Sequence, residues 1–282
     1  MQPLEYCREQ AAAGRGAFAA VYRILPGQKR DALMVLDVFC SELARLPSEC
    51  SDMQVAQAAL EWRRQDLAKA FNGGVPETPV HQAVAEIARH FSLPQQEFAD
   101  IIDGTETDMR QMRYTDAAWL EQYCRRVSGS AWRLAARIAG FSDERSLQSA
   151  EENGTAARLA QIVRDVGKDA RVGRIYLPMN EMQRFNVPAA DILHGKATPE
   201  LAALLDAQIA RAETHLRRAA ELLPDKDRSA QKPLSAAAAL VYALLQEIRR
   251  DGVLNVLNYT LAIPAPRQAR IVWKTRLFGF KL

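Results

Sequence analysis

The chain has 282 residues, 48% of them hydrophobic, which is enough apolar content for the core of one large domain. A formal net charge of +3 excludes nucleic-acid binding driven by global charge. No run of about eighteen apolar residues occurs, so no transmembrane helix is expected.

The N-terminal MQPLEYCREQ lacks the apolar stretch of a signal peptide. Cys7, Cys40, Cys50 and Cys124 form no CxxC pair, so zinc is not expected. Cys7, Cys40 and Cys124 sit in apolar helical patterns and read as core thiols of a reducing compartment, which gives a cytoplasmic expectation. Prolines and glycines fall between periodic segments, without sustained period-two alternation or a linker. The expectation is an all-α single domain over residues 1–282.

The first predicted helix covers residues 3–20 and includes Arg15, Gly16, Ala17 and Phe18. Leu25-Pro26 opens a second helix, with Leu33, Leu36 and Phe39 as its apolar stripe and Pro47 as its expected stop. Asp52 is the predicted N-cap of a third helix, which Asn72-Gly73-Gly74 ends and in which Trp62 reads as a core residue. A helix over 81–91 closes before Pro94, and His81 and His90 read as ordinary polar or capping residues. In the segment from Phe98 to Tyr114, Asp103 and Asp108 read as helix surface. Thr115 or Asp116 caps the next helix, whose small residues Ser128, Gly129, Ser130 and Ala131 permit close backbone approach. Ser142-Asp143 is the predicted cap of the helix that leads into residues 161–178.

That stretch reads QIVRDVGKDARVGRIYLP. Leu159, Ile162, Val163 and Val166 keep helical spacing. Asp165 and Asp169 lie four apart and share a helix face, at a cost of roughly 0.2–0.5 kcal/mol for like charges. A hard divalent cation such as Mg²⁺ turns that cost into a site, because it takes carboxylate oxygens and shares them with substrate phosphates. Arg164, Lys168, Arg171 and Arg174 surround the pair and suit phosphate oxygens. Spacing alone leaves a second reading open: a mixed-charge helix end with Asp165 paired to Lys168.

Beyond Pro178 the pattern gives a short helix near 181–185, a loop through Val187-Pro188 and Gly195, a long helix over 199–222 and a last main helix over 233–250. The tail, residues 265–282, carries Arg267, Arg270, Lys274, Arg276 and Lys281 among Trp273, Phe278 and Phe280, and no acid. Such a tail either rests peripherally on an anionic membrane, at about 1 kcal/mol per basic residue, or folds over the helices.

Arg164, Asp165, Asp169, Gly173, Arg174, Tyr176, Leu177 and Pro178 fit R-D-V-x-x-D-x-x-x-G-R-x-Y-L-P. This closely resembles the second aspartate-rich motif of the squalene/phytoene synthase family, which joins two prenyl diphosphates head to head. Gly104, Asp108, Met109, Arg113 and Tyr114 resemble its G-x-x-x-D-L and R-Y-x-T elements, and Tyr123-Cys124 its Y-C-x-x-V-A-G. Tyr242, Leu245, Ile248, Gly252 and Val256 resemble a later Y-x-x-x-L-x-x-I-x-x-x-G element. The resemblance runs from about residue 4 to residue 256. It implies an isoprenoid synthase-like bundle around a central apolar cavity, and substrates of the farnesyl diphosphate class. It implies Mg²⁺ on Asp165 and Asp169, with Tyr176 beside them in the catalytic set. Arg164, Arg174, Arg113, Phe18, Tyr123 and Gln161 are its implied diphosphate contacts. NADPH use is left open.

Several positions depart from the family pattern. The metal aspartates of the first motif fall on Ala44, Arg45 and Ser48, its arginine on Ser41 and its tyrosine on Asp37. Glu42, Glu49 and Asp52 are the available substitutes. Of the family's Ser-x-Ser-Phe only Phe18 remains, with Arg15 either a phosphate contact or a surface residue. The Q-L-T-N run before the second motif has become Arg158, Leu159, Ala160 and Gln161, and an arginine there repels a metal and favours a phosphate. Two functions are therefore implied: a prenyl transferase, or a non-catalytic relative that binds a prenyl lipid or a partner protein. A mitochondrial complex I assembly factor is a degenerate family member of the second kind, with an F-x-x-E-L pattern similar to Phe39 through Leu43.

Overall fold

Alanine and leucine at helical spacing build thirteen α-helices among the residues described by the computed structural model, 2–13, 16–49 and 52–280. They are α1 (Pro3–Ala13), α2 (Gly27–Glu49), α3 (Met53–Phe71), α4 (Pro79–Phe91), α5 (Gln95–Arg110), α6 (Ala117–Cys124) and α7 (Ser130–Ala139). There follow α8 (Arg145–Arg171), α9 (Met179–Arg184), α10 (Ala189–Leu193), α11 (Pro199–Leu222), α12 (Lys232–Asp251) and α13 (Ala265–Phe278). No strand forms among the described residues; one isolated bridge joins Arg113 and Ile175. The all-α expectation holds.

The long α8 is the axis of the bundle. It packs against α11 most extensively, and also against α7, α12 and the wide turn Arg125–Gly129. Glycine makes these approaches close. A methyl group on Gly154 would lie 2.6 Å from the Ser128 carbonyl oxygen, and one on Gly167 would lie 2.3 Å from that of Leu257. One continuous apolar core runs from Cys7 of α1 to Val272 of α13.

Several boundaries differ from the sequence expectation. The first helix ends at Ala13, and a separate tight turn, Ala19–Ile24, follows. Asp37 of α2 causes the break by accepting the Phe18 N–H at 3.0 Å, and Gly16 leaves room for that carboxylate. Arg15 lies outside the described residues. Pro47 does not stop α2, which continues to Glu49, because a proline within the last turn removes only one backbone bond. Trp62 is 38% exposed and is not a core residue. Asp52 and Asp116 cap α3 and α6 as expected, each accepting a backbone N–H of the first turn. At the start of α8, Asp143 accepts the Arg145 N–H, but the larger anchor is Asp227, distant in sequence, which accepts the N–H groups of Ser142 and Asp143 and the hydroxyls of Ser142 and Ser146. The tail forms α13 and packs on α12.

Candidate functional site

The C-terminal end of α8 stops where Gly173 adopts φ +77°, a conformation that glycine takes without a Cβ clash. The Arg174 N–H returns to the Asp169 carbonyl at 2.9 Å, and the chain then runs beside residues 112–115. Met179 and Asn180 donate to the carbonyls of Tyr114 and Thr115 at 2.8 and 3.1 Å. The Arg113 guanidinium closes this junction by donating to the carbonyls of Met112 and Gly173, both at 2.9 Å. The glycine turn and Arg113 thus bring α5, α6 and α8 to one place.

Three tyrosines meet there. Tyr114, Tyr123 and Tyr176 have ring centroids 5.4–5.9 Å apart. The Tyr176 hydroxyl donates to Asp108 at 2.5 Å, and Arg174 donates to the same carboxylate at 3.1 Å and to the Tyr176 oxygen at 3.2 Å. Burial pushes Tyr176 up to about 12, against the pull of Arg158, so it remains a proton donor at neutral pH.

Arg158 completes the cluster from about three turns of α8 before Asp169. Its guanidinium lies 5.3 and 5.2 Å from the ring centroids of Tyr123 and Tyr176, donates to the Tyr123 hydroxyl at 2.6 Å and reaches Gln161 at 3.4 Å. Its Nε is buried without a hydrogen-bond partner. Asp169 is largely buried; desolvation raises it to about 6, with Arg158 pulling the other way. The partly open space between Asp169, Arg174, Tyr176 and Ile192 is about 10 Å³, the room of a single water.

The other predicted site residues are used differently. Arg164 forms a two-pronged pair with its own neighbour Asp165, at 2.8 and 2.6 Å, so Asp165 takes Arg164 rather than Lys168. Phe18 is fully buried and packs on Trp132, with ring centroids 5.2 Å apart, as a core residue does. Arg113 places Nη1 on the two carbonyls that shape the turn.

On α2 the substitutes for the first motif are also committed elsewhere. Glu42 accepts the Tyr6 hydroxyl at 3.0 Å, Asp52 caps α3, and the side chain of Glu49 lies outside the described residues. At the motif positions, Ala44 and Arg45 are exposed. Asp37 has become part of a buried knot with the Tyr22 hydroxyl and the Phe18 N–H. Among the described residues no three His, Cys, Asp or Glu side chains are arranged to hold a metal ion. Together with the Arg164–Asp165 pair and the arginine beside Asp169, this donor set does not fit the Mg²⁺ cluster implied by the resemblance.

Sequence reasoning noted Asp108 and Arg158 only in passing, although both are central. Their signal was available: Arg158, Gln161, Asp165 and Asp169 share one stripe of α8, and Asp108 matches a family position. For Asp37 the sequence showed only a departure from the family tyrosine, since an acid within an apolar helix declares its burial only when the opposing chain is in place.

The family model described as squalene/phytoene synthase matches residues 12–274. A presqualene diphosphate synthase of Rhodopseudomonas palustris is 29% identical over 252 residues, covering 88% of each chain. A phytoene synthase of Arthrospira platensis is also 29% identical, over 92% of this chain and 88% of its own. The maize chloroplast phytoene synthase 3 is 28% identical, and the chain spans 62% of its length. Among solved structures, a dehydrosqualene synthase superposes with a TM-score of 0.85 at 24% identity over 98% of this chain and 96% of the other. A squalene synthase from Alicyclobacillus acidocaldarius superposes with a TM-score of 0.79 at 26% identity over 88% and 94%. With a match that reaches from α1 to α13 and a second-motif turn built as its sequence pattern requires, the chain belongs to the squalene/phytoene synthase family.

Proposed function

We propose that this chain is a prenyl-diphosphate-binding member of the head-to-head prenyl transferase family that holds its ligand through fixed guanidinium groups instead of a magnesium cluster. The family and its similar relatives support the head-to-head transferase type; the ligand class and the metal-free mode are the finer parts of this reading. The observation that carries it is Arg158, a guanidinium packed against two stacked tyrosine rings, with a buried and unpartnered Nε. Ionising a prenyl diphosphate releases a highly charged leaving group, and neutralising it at two facing acidic helices is the work of metal ions. Here one face has Ala44 and Arg45, and the other has Asp165 paired with Arg164. Guanidinium suits bidentate diphosphate recognition but does not supply that concentrated charge. The reading is therefore binding without turnover, by a farnesyl-sized or longer ligand whose chain displaces side chains around the small internal space.

The test is calorimetric titration of the full chain with farnesyl thiodiphosphate, first in EDTA and then in Mg²⁺. Binding should be equal in both, and Arg158→Gln should weaken it about 10–100-fold, as expected for loss of a charged hydrogen bond. Absence of binding in either buffer would overturn the ligand class. A second reading, a full transferase, is favoured by the complete Arg174–Asp108–Tyr176 arrangement. Incubation with labelled farnesyl and geranylgeranyl diphosphates separates the two: a squalene- or phytoene-sized product with release of diphosphate, abolished by Asp165→Asn, would establish the transferase.

A further inference from the structure

From Pro264 to the end the sequence contains no acidic residue, and four cations lie within α13: Arg267, Arg270, Lys274 and Arg276. Packing uses one side of this helix. Val272 and Thr275 are buried against the body, and Phe280 folds back onto Tyr242 of α12, with ring centroids 6.2 Å apart. The opposite side is left with three large apolar side chains within six positions: Trp273, Leu277 and Phe278, exposed by 55%, 67% and 74%. Single exposed apolar residues are ordinary, but three together are not. The Arg276 guanidinium lies 5.2 Å from the Trp273 ring centroid.

Beside this face, α12 and α13 enclose an open groove of about 470 Å³ with walls from Tyr242, Ala243 and Ile271, and with Gln246, Arg270 and Lys274 at its edge. Arg267, also at the groove, is paired with Glu247. Arg270 and Lys274 have no ion-pair partner among the described residues. Apolar rings with cations alongside form the pattern of a helix that lies in a lipid headgroup layer.

We propose that α13 and the adjoining groove form a docking site for an anionic phospholipid surface. Trp273, Leu277 and Phe278 enter the headgroup layer, and Arg270 and Lys274 take lipid phosphates at the groove. Charge complementarity selects this occupant: α13 carries four cations and no acid, so an anionic surface adds an electrostatic attraction that a zwitterionic one does not. The site is separate from the α5–α8 cluster and stands or falls independently of the prenyl-diphosphate reading.

The test is flotation of the full chain with vesicles of phosphatidylglycerol and phosphatidylcholine, against vesicles of phosphatidylcholine alone. The chain should float with the anionic vesicles only, and high salt should release it. Arg270→Glu with Lys274→Glu should lower partition by at least about five-fold per residue. Trp273→Ser with Leu277→Ser should also lower it, while helical circular dichroism stays unchanged. A control pair on the exposed surface of α11, Arg217→Glu with Arg218→Glu, should have a smaller effect. No flotation, equal flotation with both vesicles, or an equal loss in the control pair would overturn the proposal. So would self-association in analytical ultracentrifugation that Trp273→Ser abolishes without any vesicle binding, which would assign the face to a second copy of the chain.

Discussion

Asp37 shows how one side chain reorganises the site it sits beside. The family pattern has a tyrosine at this position; here a buried carboxylate collects the Phe18 N–H and the Tyr22 hydroxyl, and the loop before Phe18 bends around it. Burial raises Asp37 to about 7, with its hydrogen bonds pulling the other way. A raised carboxyl favours the folded state when neutral. Its contribution is full below its unfolded value, about pH 4, and is lost as pH rises through about 7. The stability difference between Asp37→Asn and the parent, read from urea midpoints, should therefore shift in favour of the variant between about pH 4 and about pH 7 and level off above. A difference independent of pH would show that Asp37 is ionised throughout. Arg158 is the counterpart on α8: a charge that lies over the rings of Tyr123 and Tyr176.

Among the elements, α8 combines structural axis and site. Its glycines allow two neighbours to touch its backbone, and the same helix delivers Arg158 and Gln161 near its middle and Asp169 near its end. Because the atoms that a new methyl group would meet at Gly154 and Gly167 are backbone, no rotamer change relieves the clash. Gly167→Ala should displace the turn Val253–Leu257 and destabilise the fold by about 1–3 kcal/mol, measured by urea denaturation. Gly173→Ala has no such contact, its nearest neighbour being Met112 Cε at 4.0 Å. Its cost is the left-handed backbone, about 1 kcal/mol, and with it a looser Arg113 clamp. The reverse order of these two costs would mean that α8 yields more easily than its turn.

For the whole molecule, the continuous core predicts joint unfolding. Cys7 and Val272 belong to the same apolar cluster, and α13 packs on both α12 and the turn Ala19–Ile24, which links the two ends of the chain. Thermal unfolding followed by far-ultraviolet circular dichroism and by tryptophan fluorescence should give one coincident transition. An earlier loss of the exposed Trp273 signal would show instead that α13 leaves the body on its own. No helix among the described residues is long and apolar enough to cross a membrane.

Local pattern determined the helices themselves. Apolar spacing, the Asp52 and Asp116 caps, the Pro199 start and the Gly173 stop all act within a turn or two of backbone, and the sequence displays every one of them. The motif at residues 161–178 was legible for the same reason, as was the loss of its partner on α2. Tertiary structure decided the partners. Whether Asp165 faces a cation from solvent or from Arg164, whether Asp37 is hydrated or buried, and whether Asp227 anchors a helix more than eighty residues away depend on groups that approach only after the chain has folded. Desolvation and hydrogen bonding are properties of those approaches, so they set the charge and use of each side chain where spacing alone could only nominate it.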